Sequence, residues 1–442
     1  MSATRRRRLR RLSAPSDGRG STRRILVMCP HFEPDVAPTG VVMSRIVHEL
    51  AGAGHEIHVV TALPWYAHHR VDEPWNDVRW RTRTRTTPWG SVVRLHPRGG
   101  SDKSNLLRRA FGFALFSLAA VVAGWRVAPR QRFDAVLAMS PPLTLGLAAK
   151  LVAVVRRAPL IFNVQDVFPD AAVATGAITN RWVIGAARLL EKATYRAARF
   201  VTVLSDDLRD NVAAKLPERL RSRVVVIPNF VDIERIRPGD HSTAYRHELG
   251  IGDRCVVMYA GNVGYSQSLH LMIDAARSRP DLVFVINGQG SARPDLERSA
   301  EGLSNVVFGD FQPAERLSEV LATGDIHVVP LRRGLGHVSV PSKVYSILAA
   351  GRPVVAAVDP GTEVPRLVQT AQCGVVVEAD DPEAFGAAID SLAGDAELRA
   401  LLGERARRHV EHEASPGAVA ARYAELFERV RTPGGLQGSS GT

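Results

Sequence analysis

The stretch ILVMCPHFEPDVAPTGVVMSRIVHELAGAGHEIHVVT, residues 25–61, decides the fold. Ile25–Cys29 is a short continuous apolar run, the pattern of a strand buried on both faces. A Pro/Gly-rich loop follows over Pro30–Gly40. From Val41 to Ala53 the spacing turns helical, with Val42, Ile46, Val47 and Leu50 on one face. Gly54 ends that helix, as a glycine just past a helix C-terminus often does, and Ile57–Thr61 is the next strand. Strand, helix and strand make a βαβ unit.

The alternation continues outward from this unit. Apolar runs at Val92–Leu95, Ala135–Ala138, Leu160–Val164, Phe200–Leu204 and Val224–Ile227 read as strands, with helical spacing over Leu106–Val127, Leu143–Val155, Arg181–Ala197 and Asp206–Lys215. The stretch Arg70–Trp89 is polar, holds Trp75, Trp80 and Trp89, and reads as a long excursion from the core. Pro228-Asn229 closes this series, and the charged, Gly/Pro-containing residues 231–254 mark entry to a new unit. A second series then runs from Val256–Ala260 to Val375–Val377, followed by helices at Pro382–Ala393, Glu397–Val410 and Pro416–Val430. Two βα series predict an α/β protein of two doubly wound parallel-sheet domains facing across a cleft. The expected limits are an Arg-rich disordered tail at 1–22, domains at 23–230 and 231–412, a last helix at 413–431 and a frayed end at 432–442.

Composition narrows the function classes. The chain has 442 residues, 45% of them hydrophobic and 23% charged, which is ordinary for a globular protein. Cys29, Cys255 and Cys373 lie far apart, which excludes a disulfide framework and a clustered zinc motif. Residues 1–24 hold nine arginines and one acid, Asp17, and so carry +8 of the net +12. The body is only mildly basic, which argues against a nucleic-acid-binding fold. The longest uncharged apolar run, Ala110–Trp125, has 16 residues, short of the ~20 of a spanning helix. No apolar stretch adjoins the N-terminal arginines, unlike a secretory signal. The expected site of action is the cytoplasm, at the inner face of the plasma membrane.

Polar and glycine-rich loops stand where each strand gives way to a helix. In Pro30–Gly40, Gly40 lets a substrate approach the backbone, or simply starts a helix after a turn. Gln165 and Asp166 follow the strand Leu160–Val164; Asp166 can orient or deprotonate an acceptor hydroxyl, or act as a turn former. Gly261-Asn262-Val263-Gly264 and Gly288-Gln289-Gly290 are two glycine loops at the same edge of the second sheet, which points to a phosphate-bearing ligand. Pro341-Ser342-Lys343 opens a helix whose N-terminus and lysine suit a diphosphate; a solvated lysine on a capped helix is the plainer reading. Arg108, Arg109 and Phe113 begin the long apolar helix, and a basic–aromatic patch of this kind suits a membrane interface as well as a buried packing helix. The fingerprint G-x-G-x-x-G is absent from the first loop, and His31, His68, His69 and His337 lack metal-ligand spacing.

The order of Pro30–Gly40, Gly54-His55-Glu56, Asp166…Pro169, Ile227-Pro228-Asn229, Tyr259-Ala260-Gly261-Asn262, Gly288-x-Gly290, Val340-Pro341-Ser342-Lys343 and Ala349-Ala350-Gly351-Arg352-Pro353 resembles glycosyltransferase family 4, in its colanic-acid and O-antigen branch. The resemblance covers about residues 24–430. It implies a GT-B fold, a nucleotide-sugar donor as co-substrate, transfer with retention, no metal and no further cofactor, and a last helix crossing back to the first domain. It places Gly261, Asn262, Gly264, Gln267, Ser268, Gly288 and Gly290 near the donor phosphates, and Ser342 and Lys343 at the diphosphate. Asp310 and Phe311 fall in the base-binding segment, and Gly40, Gln165 and Asp166 on the acceptor side. Many members carry two glutamates eight positions apart where this chain has Val338 and Ser346. They also carry Arg and Lys where Asn262 and Gln267 stand here.

The expected activity is transfer of a sugar to a lipid-linked or cell-envelope glycan, with Lys343 and Asp166 as catalytic residues and peripheral membrane contact. A hydrolysing nucleotide-sugar epimerase and a catalytically degenerate binding protein are the alternatives.

Overall fold

The computed structural model describes residues 22–431, apart from 67–69, 74, 76–81, 98–105, 171–172, 174–177 and 336–342; for 106–110 and 431 it describes the backbone alone. The first half runs β1 (Arg24–Met28), α1 (Pro38–Gly52), β2 (Glu56–Ala62), β3 (Arg83–Thr87), β4 (Gly90–Leu95), α2 (Leu106–Arg126), β5 (Ala135–Ser140), α3 (Leu143–Arg156), β6 (Leu160–Val164), α4 (Arg181–Ala197), β7 (Phe200–Val203), α5 (Asp206–Ala214), α6 (Glu218–Arg221) and β8 (Val224–Val226). These strands form one sheet in the order β3-β4-β2-β1-β5-β6-β7-β8, parallel except for β3.

The second half begins with α7 (Ala244–Glu248). It continues through β9 (Val256–Ala260), α8 (His270–Ser278), β10 (Val283–Asn287), α9 (Arg293–Ser299), β11 (Val306–Gly309), α10 (Leu317–Thr323), β12 (Ile326–Pro330) and α11 (Lys343–Ala349). Then come β13 (Val354–Ala357), α12 (Glu363–Ala371), β14 (Gly374–Val377), α13 (Pro382–Ala393), α14 (Ala396–Glu413) and α15 (Pro416–Arg431). This sheet is fully parallel, in the order β11-β10-β9-β12-β13-β14. The order reverses beside β9, and in such sheets ligands bind outside the strand carboxyl ends at the reversal.

The strands read as continuous apolar runs because both sheets are covered on both faces. On one face of the first sheet, Phe116 and Ala120 of α2 join Ala149 and Val152 of α3 over β5 and β6. On the other, α1 meets the last helix: Val419, Tyr423 and Phe427 pack with Met43 and Val47 over Val27 and Leu137. The C-terminal helix therefore crosses back onto the first sheet. Tyr423 is fully buried there, and its hydroxyl accepts from Asn163 Nδ2 at 2.8 Å.

An edge strand and two short helices, α6 and α7, depart from the sequence reading. The polar excursion Arg70–Trp89 contains the edge strand β3, antiparallel to β4. Its residues Arg83-Thr84-Arg85-Thr86 are exposed, so no apolar alternation announces it. Arginines on an edge also discourage a further strand from adding to the sheet.

Candidate active site

Tyr259 lies in β9 with its ring fully buried. Lys343 opens α11, and its Nζ sits 4.0 Å from the centroid of that ring and donates to Tyr259 Oη at 2.5 Å. Tyr259 Oη in turn donates to the Asn262 carbonyl at 2.6 Å. The lysine thus reaches the glycine loop that follows β9. Gly261 has φ +149°, and a side chain there would meet Lys343 Nζ at 3.3 Å. Burial lowers the Lys343 pKa to about 8. A cation desolvated beside a glycine turn favours an anionic ligand.

The two glycine loops pack backbone against backbone. A Cβ on Gly288 would lie 1.9 Å from the Gly261 carbonyl oxygen, and one on Gly290 would lie 2.2 Å from that of Val263. Val263 N–H donates to Gln289 O at 2.9 Å, and Gly264 N–H to Gln267 Oε1 at 3.0 Å. Gly288 and Gly290 are therefore required by the contact between loops, whatever ligand they meet. Asp310 is engaged by protein partners: its Oδ1 accepts from Gln289 Nε2 at 2.5 Å and Arg293 Nη1 at 2.7 Å. Phe311 is 57% exposed beside Gly288, an open aromatic face at the rim of this edge.

Ser268 is buried and donates to Asp380. Asp380 also accepts from Arg333 N–H at 3.0 Å, while Asp359 accepts from Gly334 N–H at 2.8 Å and Arg332 N–H donates to Ser266 O at 3.0 Å. These bonds stitch the loop after β12 to the first glycine loop. Asp359 and Asp380 belong to none of the quoted motifs and carry no local sequence signal; only the long-range pairing reveals them. Ser342 lies outside the described residues.

In the first sheet, Gly40 is buried within α1, where a Cβ would approach His31 Cβ at 2.8 Å. Its small size serves the close contact between helix and loop. His31 is no isolated polar residue: its Nδ1 lies 2.7 Å from Asp35 Oδ2, and its ring lies against Trp65 and Tyr66. Gln165 is also committed, donating to Asn163 Oδ1 at 2.7 Å and accepting from Asn229 Nδ2 at 3.1 Å. Through Asn163 this chain of amides continues to Thr202 and Tyr423. Asp166 differs. Its side chain is exposed, and desolvation by the surrounding protein raises its pKa from the ordinary aspartate value.

The two carboxyl edges face each other. Asp207 follows β7, Arg366 lies on α12 beyond β13, and Arg366 Nη2 meets Asp207 Oδ2 at 2.8 Å. Asp166 ends the strand next to β7, and Gly261 ends β9, two strands from β13. The Arg366–Asp207 ion pair joins the carboxyl edges of the two sheets. The basic–aromatic start of α2 is not placed as a single patch. Phe113 is half-buried against the core beneath it, Phe111 is the exposed ring, and the Arg108 and Arg109 side chains lie outside the described residues. No helix among the described residues is long and apolar enough to cross a membrane.

Known proteins share this fold. The family described as glycosyl transferases group 1 matches residues 254–395, and the glycosyl transferase 4-like domain matches residues 39–229. The protein named colanic acid biosynthesis glycosyl transferase WcaI in Escherichia coli (strain K12) is 29% identical over 379 residues, which covers 83% of this chain and 91% of that one. Sucrose-phosphate synthase from Thermosynechococcus elongatus superposes with a TM-score of 0.68 at 16% identity, over 92% of this chain and 99% of that one. Anabaena HepE, solved with UDP, gives 0.63 at 14% identity over the same shares.

Proposed function

The chain belongs to the group 1 glycosyl transferases, enzymes of GT-B fold, and from that premise we propose that it moves a sugar from a nucleotide-sugar donor to a lipid-linked or cell-envelope glycan. In this reading residues 231–412 hold the donor, residues 23–230 hold the acceptor, and residues 413–431 tie the two together. The enzyme works on the cytoplasmic side, at the inner face of the plasma membrane. The resemblance to WcaI, named for colanic acid biosynthesis, supports the envelope acceptor.

One observation carries the donor reading: Lys343 Nζ, held on Tyr259, stands at the Gly261 turn where β9 ends. During transfer the bond from the anomeric carbon to the diphosphate breaks, and negative charge grows on the departing oxygen. Lys343 and the loop of Gly261, Asn262 and Gly264 are positioned to receive that charge, with Gln267 and Ser268 bracing the loop. Electrostatic stabilisation of this kind is a large term in catalysis. With a lysine in this role, the reaction needs no metal ion. Phe311 offers its exposed face to the base, and Asp310 holds the rim through Gln289 and Arg293. Ser342 stands beside Lys343 in the chain and shares its assignment to the diphosphate.

Asp166 orients the acceptor hydroxyl across the cleft and takes its proton as the new bond to the anomeric carbon forms. Its raised pKa makes it a stronger base than an ordinary carboxylate. Attack on the face that the diphosphate leaves gives retention.

A thermal-shift screen against UDP-, GDP-, ADP- and dTDP-sugars tests the donor reading. A ligand specific to the folded state stabilises by about 2.7 kcal/mol at 100 times its dissociation constant. A shift with one nucleotide identifies the donor class. Transfer in the presence of a chelator, with the product's anomeric configuration read by NMR, checks metal independence and retention. Rapid nucleotide release without acceptor would overturn transfer in favour of hydrolysis.

A further inference from the structure

Ten of the sixteen large apolar side chains exposed among the described residues lie on three helices, α2, α3 and α4. On α2, Phe111, Leu118, Val122 and Trp125 recur at spacings that put them on one face. On α3 the outward side carries Leu151, Val154 and Val155, between 54% and 60% exposed. On α4, Trp182 and Leu189 are 77% and 71% exposed, two turns apart on the side opposite the buried Glu191. The three helices lie side by side over the first sheet. Gly124 brings α2 to Val152, and Gly146 brings α3 to Thr194 of α4. Their outward stripes therefore form one surface. Soluble monomers rarely expose contiguous apolar patches of this extent without a partner.

The exposed charges on these helices have one sign. They carry nine basic residues and a single acid, Glu191, which is fully buried on Lys215. Arg181, Arg188, Lys192 and Arg196 are exposed and flank the Trp182–Leu189 stripe. A second copy of this chain would bring like charges together across a two-fold contact. An apolar surface bordered by exposed cations complements a bilayer with anionic headgroups, which attract each basic residue near the surface.

We propose that the outward face of α2, α3 and α4 rests on an anionic phospholipid bilayer, with Leu118, Leu151, Trp182 and Leu189 entering the boundary between headgroups and acyl chains. This deepens the proposed action on a membrane-borne acceptor, on which it rests for its purpose. The first turn of α4 lies toward the carboxyl edge of the sheet, the edge that bears Asp166. An acceptor anchored in that bilayer would meet the cleft at its border.

The test is flotation of the full chain with vesicles of phosphatidylcholine alone and of equal parts phosphatidylcholine and phosphatidylglycerol. The parent protein should float with the mixed vesicles and not with phosphatidylcholine alone. Leu118→Gln/Trp182→Gln/Leu189→Gln should weaken that binding at least about tenfold, since each lost side chain removes apolar burial. Leu401→Gln, an exposed apolar position on α14, should float like the parent. The basic residues 1–24 are present in every protein compared. A triple variant that floats like the parent would therefore assign binding to that segment and overturn the proposal. No flotation of the parent, or a dimer that the triple substitution dissolves, would overturn it as well. Nucleotide thermal shifts on the same proteins keep the two readings apart. Intact shifts with no flotation defeat only the docking face; flotation with no shift defeats the donor reading.

Discussion

The helices that cover the second sheet turn polar and small residues outward, and Leu401 is the large apolar side chain exposed on them among the described residues. The helices α2, α3 and α4 cover the first sheet in the same way on their inner sides, yet expose ten such side chains. Covering a parallel sheet therefore does not require an apolar outer surface. The carboxyl edges differ too. The second sheet ends in backbone-to-backbone glycine contacts around one lysine. The first ends in side-chain pairs, His31 with Asp35 and Gln165 with Asn163 and Asn229, beside an exposed Asp166. In the proposed function the second edge receives the anionic donor and the first the acceptor hydroxyl.

Substitution on each side should break this division in its own way. Lys343→Ala should lower turnover by about 10²–10³-fold, the usual cost of removing one donor to a developing anion, and should weaken nucleotide binding as well. Near-normal turnover in a steady-state assay would sink the assignment. Asp166→Asn should lower transfer by about 10²-fold or more while nucleotide affinity, read by calorimetry, stays unchanged. A parallel loss of both would mean that the two edges do not divide the work.

The pH dependence of binding sharpens the contrast. Burial lowers the Lys343 pKa to about 8, so the free protein loses this proton as pH rises through 8. A bound diphosphate favours the ammonium form, so binding above pH 8 must take up a proton. Nucleoside diphosphate affinity should therefore hold below pH 8 and fall by up to about tenfold per pH unit above it. Calorimetry in buffers of different ionisation enthalpy would show the uptake, and Lys343→Arg should abolish the step.

Smaller effects concern the fold. Tyr423→Phe removes the hydroxyl that accepts from buried Asn163, and should cost about 1–2 kcal/mol in chemical denaturation. Trp182→Gln and Leu189→Gln should each change thermal stability by less than about 0.5 kcal/mol, because neither side chain packs in the core. A large loss would show that the outer face supports the fold after all.

Much of this was legible in the sequence because it is local. The strands Leu160–Val164 and Val256–Ala260 and the helices Arg181–Ala197 and Pro382–Ala393 have the limits that their hydrophobic patterns predict. The glycine loops and Lys343 were likewise visible at strand ends. The edge strand Arg83–Thr87 was not, since polar residues on both sides leave no period to read.

The chain's sequence by itself determined two βα series, their parallel sheets and the placement of polar loops at strand ends, because periodicity and turn chemistry act over a few neighbouring residues. Tertiary structure alone decided that Gly288 and Gly290 are needed by the Gly261–Val263 backbone, and that Asp380 holds Ser268 from 112 residues away. It also decided that Gln165 braces the last helix through Asn163, and which apolar residues of α2, α3 and α4 face outward. A helix stripe looks the same in sequence whether it meets a sheet, a bilayer or water. Only the packing of the remaining faces shows which side is left open.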